Sequence, residues 1–220
     1  MTEHQAPHAS QDTFMDRLRV TTASAHATTE EIPFNAAIMS RTLPKDCFAA
    51  QVQYWGSLHA ALEEAIGRQE SGPVAQVWAL TGPRAGLLEA DLKFLGTPRD
   101  CPEAEAVVTD FTAWMNDLAE SDPLALLGVL YVFEGSQLGG TILKKPLAEM
   151  YDLSDGEGLS YYNVHGPAIR QHWQAFRAGM NDVVTDPADE ERLVDSANKT
   201  FEMVGRLLTG LSRDLPVSAA

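Results

Sequence analysis

The sequence predicts one all-α domain, a multi-helix bundle, on three observations. Hydrophobic residues make up 45% of the 220-residue chain, which is enough for one sizeable core. Apolar residues recur at helical spacing along most of the chain, and alternating β-branched runs are absent. No repeat, low-complexity segment or linker interrupts the pattern between Phe14 and Leu211. We therefore expect a domain over residues 13–214, a disordered tail over 1–12 and a second tail over 215–220.

Helix signals follow one another along the chain. Prolines stand at the starts of several apolar stripes, where the missing N–H is no loss. The stretch 151–165 is the longest without a helical pattern. The predicted helices are Phe14 to near Pro33, Phe34 to Met39, Pro44 to Gly67 or Gly72, Pro73 to Leu95 with an interruption at Gly82-Pro83, Pro102 to Ala119, Pro123 to about Met150, Gly166 to beyond Met180, and a last helix capped by Asp186-Pro187.

The helix that begins at Pro123 has the least usual composition. Gly135, Gly139 and Gly140 fall within six residues of an otherwise apolar helix, although each glycine costs about 1 kcal/mol relative to alanine. Gly135 and Gly139 share one face, so they present a strip of bare backbone. The pattern indicates a kink, a flat ligand lying against the backbone, or tight helix packing. This stretch alone does not separate the three.

Composition excludes several classes of function. The net charge of −15 argues against a nucleic acid or an anionic membrane as partner. No run approaches the ~18 apolar residues of a membrane span, and the polar start of the chain lacks a signal core, so we expect a cytoplasmic protein. Cys47 and Cys101 lie far apart and are expected to be free thiols. No flavin or nicotinamide motif is present.

Candidate ligands centre on His26. Glu30 follows one helical turn later, in reach of the imidazole, which is typical of a metal-bound histidine but also of an ordinary core histidine paired with a carboxylate. Arg19 and Arg177 are surface cations unless a carboxylated ligand lies beside His26. Three large residues on apolar faces are either core or ligand wall: Tyr54, Tyr131 and Phe201.

Two segments in this order resemble the biliverdin-producing haem oxygenases of bacterial type, and the resemblance covers Phe14 to Leu211. The first is similar to the proximal helix of that family and reads Leu18-Arg19-x-x-Thr-x-x-x-His26-x-x-x-Glu30. The second is similar to the distal helix and reads Tyr131-Val-Phe-Glu134-Gly135-Ser136-x-Leu138-Gly139-Gly140. The resemblance implies a haem-oxygenase-like bundle whose distal helix is kinked at its glycines.

The resemblance also implies roles residue by residue. His26 would be the axial ligand of the haem iron, and Glu30 would orient its second nitrogen. Gly135, Ser136 and Gly139 would form the catalytic distal side, where the backbone approaches the haem face. The remaining haem contacts would be Arg19 and Arg177 on the propionates, with Tyr54, Tyr131 and Phe201 as pocket wall.

The implied reaction is cleavage of haem b to biliverdin, carbon monoxide and ferrous iron, with dioxygen and electrons from a ferredoxin or flavin reductase. Haem would be both substrate and cofactor. A homodimer is possible. Two positions differ from patterns within the family: Ser136 replaces the aspartate of mammalian-type members, although bacterial members commonly share Gly-Ser at this point, and Trp173 replaces a lysine that touches a propionate.

Two alternatives stay open. One is a non-catalytic haem-binding or haem-sensing protein of the same fold, which the departures at Ser136 and Trp173 favour. The other is a thiaminase-like or di-iron enzyme on a related helical scaffold. That enzyme would need clustered carboxylates, and the internal candidates are Glu63, Glu64 and Glu134. The segment 161–165 has no role that the sequence reveals.

Overall fold

The computed structural model describes residues 12–153, 157–213 and 215. Within them lie ten α-helices and no strand, which confirms the all-α prediction. The tails expected at 1–12 and 215–220 fall almost wholly outside the described residues. The helices are α1 Phe14–Thr21, α2 Ala23–Glu30, α3 Pro33–Met39, α4 Lys45–Gly67, α5 Pro73–Trp78, α6 Ala85–Leu95, α7 Pro102–Ser121, α8 Leu126–Tyr151, α9 Ile169–Val183 and α10 Pro187–Leu211.

Local sequence signals explain where many of these helices begin. Proline occupies an early position in α3, α5, α7 and α10. Thr13 and Asp16 form a capping box at the start of α1, in which each side chain bonds to the backbone N–H of the other. The Asp186 side chain accepts a hydrogen bond from the Ala188 N–H at 2.8 Å at the start of α10. The last helix therefore begins where its sequence predicts.

The predicted first helix is in fact two helices, α1 and α2, that meet at Thr22. The buried Thr22 hydroxyl donates to the Leu18 carbonyl at 2.8 Å, and its backbone caps α1. Such a bond back to the preceding turn competes with regular helix geometry, and apolar periodicity does not register it. The predicted interruption at Gly82-Pro83 is confirmed, because α5 ends at Trp78 and Gly82 adopts a positive φ of 85°.

The core lies where α4, α7, α8 and α10 pack together. The fully buried Phe133 of α8 is at its centre. Its ring centroid lies 4.7 Å from Trp55 and 4.8 Å from His59 on α4, and 6.0 Å from Phe111 on α7. Aromatic contacts at these separations add to the area that each ring buries. They fix the rotation of α8 about its own axis.

The backbones of α8 and α10 approach closely at Gly128. A Cβ atom on Gly128 would lie 2.5 Å from the Leu193 carbonyl oxygen and 3.0 Å from the Ala197 nitrogen. One turn earlier, the Ser196 hydroxyl donates to the Ala125 carbonyl at 2.7 Å. Only glycine fits at this crossing, because both opposing atoms belong to the backbone and cannot move aside.

α8 is continuous from Leu126 to Tyr151, through its glycines and through Pro146. The kink proposed at the glycines stays a prediction. By length and composition Pro123–Tyr151 could cross a membrane, which the sequence patterns did not indicate, and 61% of its most apolar window is buried inside the protein. A core helix passes the same test, so this finding is weak support for a membrane span.

Gly128→Ala is expected to lower the free energy of unfolding by about 2 kcal/mol, because the added methyl group meets fixed backbone atoms. Gly139→Ala is the matched control on the same helix, since no heavy atom lies within 4 Å of the position that its Cβ would take. Urea unfolding of the haem-free variants measures both changes. Equal stabilities of the two variants would show that the α8–α10 crossing is not close-packed.

Candidate functional site

The glycines of α8 divide between an open face and a packed face. Gly139 is exposed, and the nearest atom to a Cβ on Gly135 would be Cη2 of Trp173, at 3.7 Å. A Cβ on Gly140 would lie 3.2 Å from the Tyr162 ring. Tight packing therefore explains Gly140 but not the other two. Gly135 and Gly139 form a strip of accessible backbone, which we call the glycine strip.

His26 stands on α2 with its ring largely in the open. Its side chain is 56% exposed, and its Nδ1 lies 3.5 Å from Oε2 of Glu30. The edge of the ring packs against Phe201 of α10, with centroids 5.6 Å apart. Among the described residues Nε2 has no hydrogen-bond partner. The apolar pattern predicted a more buried ring, but the Nδ1–carboxylate pairing is the arrangement that orients an imidazole for a metal at Nε2.

The two predicted cations have different surroundings. Arg177 on α9 donates to Asp16 of α1 at 2.7 Å. Hydrogen bonds from Thr13 and then from Arg177 lower the pKa of the Asp16 carboxyl to about 2. Arg19 is exposed and forms no ion pair within the part of the chain that the structure describes.

A cavity of about 440 Å³ lies between α8 and α9 and brings Arg177 to the flank of the glycine strip. Leu138 contributes from α8, while Arg170, Trp173 and Arg177 contribute from α9. Sequence reasoning missed Arg170. Its spacing of seven residues from Arg177, two turns along one helix face, is the signal that could have identified it.

The three predicted wall residues do not lie together. Phe201 contacts His26 and lines a second cavity of about 780 Å³ between α2, α7 and α10. Tyr131 lies 6.1 Å from Trp173, on the flank of the glycine strip. Tyr54 donates its hydroxyl to the Cys101 carbonyl at 3.1 Å, at the start of α7, and lines neither cavity. Its contact with haem stays a prediction.

Ser136 lies on the exposed side of α8 and contacts a cluster of buried polar side chains. Its hydroxyl donates to the Phe133 carbonyl at 2.6 Å and lies 3.3 Å from the Tyr161 hydroxyl. Tyr161 also accepts from Nε1 of Trp55 at 2.6 Å and lies 3.1 Å from Nε2 of His59. His59 is buried and hydrogen-bonded, and burial lowers its pKa to about 3. Sequence reasoning assigned no role to Tyr161.

The opposite flank of α8 carries a charged network around Glu134, which is 3% exposed. Nε2 of His172 donates to Glu134 at 2.7 Å, and the buried Arg84 lies 3.5 Å from the same carboxylate. Arg84 also donates to Nε2 of His165 at 3.0 Å. Burial, and then the neighbouring His172 and Arg84, lower the pKa of His165 to about 4. The rings of His165 and His172 are half-buried and stack with centroids 3.6 Å apart.

This network tests the carboxylate-based alternative. Glu134, His165 and His172 each place a ligand atom within 4.8 Å of the others, but Arg84 already supplies the positive charge that a metal would bring there. Glu63 instead accepts the backbone N–H groups of Arg84 and Ala85, at 2.6 and 2.8 Å. Glu64 pairs with Arg68 on the surface. The three carboxylates of the di-iron alternative thus have separate partners.

Solved structures share this fold. Heme oxygenase-1 from the cyanobacterium Synechocystis, in complex with heme, matches with a TM-score of 0.78 and 24% identity, covering 89% of this chain and 90% of that one. Heme oxygenase-2 from Synechocystis, in complex with heme and NO, matches with a TM-score of 0.83 and 20% identity, over 91% of this chain and 85% of the other. At these identities the likeness concerns the fold.

Curated relatives match along nearly the whole chain. Heme oxygenase 1 of Nostoc is 23% identical over 91% of this chain and 86% of its own length. Heme oxygenase 1 of Homo sapiens is 26% identical over 99% of this chain and 81% of its own length. A family model described as Heme oxygenase matches residues 12–209. The chain therefore belongs to the haem oxygenase family of haem-degrading enzymes.

Proposed function

We propose that this protein cleaves haem b to biliverdin, carbon monoxide and ferrous iron, with dioxygen and electrons from a separate donor such as a ferredoxin or flavin reductase. The observation that carries the proposal is that one chain has both an exposed His26 beside the Glu30 carboxylate and the open glycine strip of α8. One neutral donor and one bare backbone face fit the two sides of a flat macrocycle with a central iron. When bound, haem supplies the dioxygen chemistry itself.

His26 is the proposed axial ligand. Its side chain is 56% exposed, and the Glu30 carboxylate lies 3.5 Å from Nδ1. A carboxylate that accepts from Nδ1 would hold the proton there and leave the Nε2 lone pair for iron. Phe201 limits rotation of the ring from one side. These contacts fix the direction in which the His26 ring would point toward the haem iron.

The glycine strip sets the distal side. Side chains at Gly135 and Gly139 would project into the space that a haem face needs, whereas bare backbone admits it. Trp173 closes one flank near Gly135, and Ser136 supplies a hydroxyl on the other. The site thus combines a steric wall with a hydrogen-bonding group, and both bear on which edge of the ring is attacked.

Arg177, and Arg19 on α1, are the proposed anchors for the haem propionates. A guanidinium binds a carboxylate with good geometry. Arg177 already holds the Asp16 carboxylate, so a propionate has to displace Asp16 or share the guanidinium with it. Cytoplasmic location and homodimer formation stay predictions from the sequence.

His26→Ala is expected to abolish the specific Soret band that a stoichiometric haem titration produces with the unaltered protein. Free imidazole added to the variant restores the band, because it replaces the lost ligand. Glu30→Gln should retain the band with about 10-fold weaker binding, the loss typical of removing a second partner of a ligand. A specific band in the variant without imidazole would contradict the role of His26.

Turnover separates this proposal from the haem-sensing alternative. Ascorbate or a reductase system in air should bleach the haem complex and yield biliverdin, identified by its absorbance. A band that depends on His26 but never bleaches would favour the non-catalytic alternative.

Asp16→Asn is expected to tighten haem binding by up to about fivefold, the upper range for an exposed ion pair, because it frees Arg177. Arg177→Ala should weaken binding. Haem dimethyl ester, which lacks the carboxylates, is the control and should not distinguish the variants. An equal response of the ester would show that Arg177 does not act on the propionates.

A further inference from the structure

A chain of hydrogen bonds runs from the open face of α8 into the core, and we call its three members the hydroxyl relay: Ser136, Tyr161 and His59. The Tyr161 oxygen lies 3.3 Å from Oγ of Ser136 and 3.1 Å from Nε2 of His59. Ser136 is exposed, while Tyr161 and His59 are 3% and 4% exposed. Three elements contribute: α8, the 3₁₀ turn at Tyr161–Asn163, and α4.

The numbers of donors and acceptors on these side chains limit which hydrogen bonds the relay can form. The indole N–H of Trp55 can only donate, so the Tyr161 oxygen accepts from it at 2.6 Å. The single Tyr161 proton then goes either to Ser136 or to His59. His59 is neutral because burial lowers its pKa to about 3, so its Nε2 either donates to Tyr161 or accepts from it. The hydrogen bonds of the relay can therefore run in two directions: Tyr161 donates either to Ser136 or to His59.

The position of Ser136 on α8 indicates in which direction the hydrogen bonds of the relay run when a ligand lies on the glycine strip. On the helix, Ser136 falls between the face that carries the glycine strip and the face where Gly140 packs on Tyr162. In the structure its hydroxyl proton points at the Phe133 carbonyl. A donor from Tyr161 satisfies Oγ and polarises its O–H, because hydrogen bonds in series strengthen one another. The Ser136 hydroxyl can then donate its proton toward the glycine strip instead of to the Phe133 carbonyl.

We propose that Tyr161 is a positioning residue that donates to Ser136 and thereby makes the Ser136 hydroxyl a hydrogen-bond donor toward whatever lies on the glycine strip. The inference rests on the proposed function, which places haem on that strip. In this role the Tyr161–Ser136 pair supplies a hydrogen-bond donor on the distal side, at the position where mammalian-type members have an aspartate. The sequence offered no use for the 161–165 segment, and the relay supplies one.

Hydrogen bonds to the backbone around Tyr161 hold it in place, and its burial keeps it neutral. The Asp91 carboxylate of α6 accepts the backbone N–H groups of Tyr161 and Ser160, at 2.9 and 2.8 Å. Burial raises the pKa of Tyr161 to about 12, although the hydrogen bonds with Ser136 and Trp55 lower it, and Glu134 and Arg84 have smaller effects of opposite sign. Neither Tyr161 nor His59 titrates near neutral pH. A pH-dependent change measured near neutral pH therefore does not come from these two side chains, and it reports on the group that Ser136 faces.

The test uses the ferric haem complex and the pH midpoint of its visible absorbance transition, at which water on the open side of the iron loses a proton. A donor from Ser136 stabilises the resulting anion, so Tyr161→Phe should raise the midpoint by about half a pH unit, the scale of one neutral hydrogen bond. Ser136→Ala should raise it as well. Tyr162→Phe is the matched control, because that neighbouring hydroxyl donates to Gln51 at 3.1 Å.

A double variant tests whether Tyr161 acts through Ser136. With Ser136→Ala already present, Tyr161→Phe should cause no further shift. An unchanged midpoint in the single Tyr161→Phe variant would overturn the proposal. So would additive shifts in the double variant, since they would mean that Tyr161 acts by another route.

A second measurement needs no haem. In the ¹⁵N-labelled haem-free protein, Tyr161→Phe should move the resonances of Nε2 of His59 and Nε1 of Trp55, and Tyr162→Phe should leave them in place. Unmoved resonances would overturn the relay itself. If they move while no haem binds specifically, the proposed function fails and the relay geometry stands. The two failures are thus distinguishable.

Discussion

The close approach of α8 and α10 at Gly128 is the constraint on which the site depends. Backbone meets backbone there, so the distance between the two helices cannot adjust through side-chain rotamers. Phe133, packed between α4 and α7, then sets the rotation of α8. With position and rotation both fixed, the glycine strip has one orientation relative to α4, α7 and α10.

α8 separates two polar environments of different character. On one flank Ser136 leads to Tyr161 and a neutral His59, a relay without formal charge. On the other flank Glu134 is buried with Arg84 and His172. The charged flank ties α8 to α9 and to the segment before α6, since a buried carboxylate requires compensating partners. The neutral flank is the one that reaches the open face.

α9 packs against both α8 and α1. Its Trp173 lies beside Gly135 on α8, while Arg177 pairs with Asp16 on α1. One helix therefore carries both the residue beside the glycine strip and the residue that pairs with α1.

The sequence by itself determined the helical class, most helix starts, the glycine pattern and the pairing of His26 with Glu30. These are properties of local spacing, which a single helix expresses without its neighbours. It missed the break at Thr22, because a hydroxyl bond to the preceding turn leaves apolar periodicity intact.

Only the tertiary structure decided which glycines are open and which are packed, because Gly139 and Gly140 are alike in sequence and differ only in what faces them. The same holds for Tyr161 and His165. Their partners lie 25 to 106 residues away in the chain, and no local pattern records a contact that forms only when distant helices meet. Sequence spacing thus determined the His26–Glu30 pair and the run of glycines, whereas packing decided which glycines are open and which polar side chains lie beside Ser136.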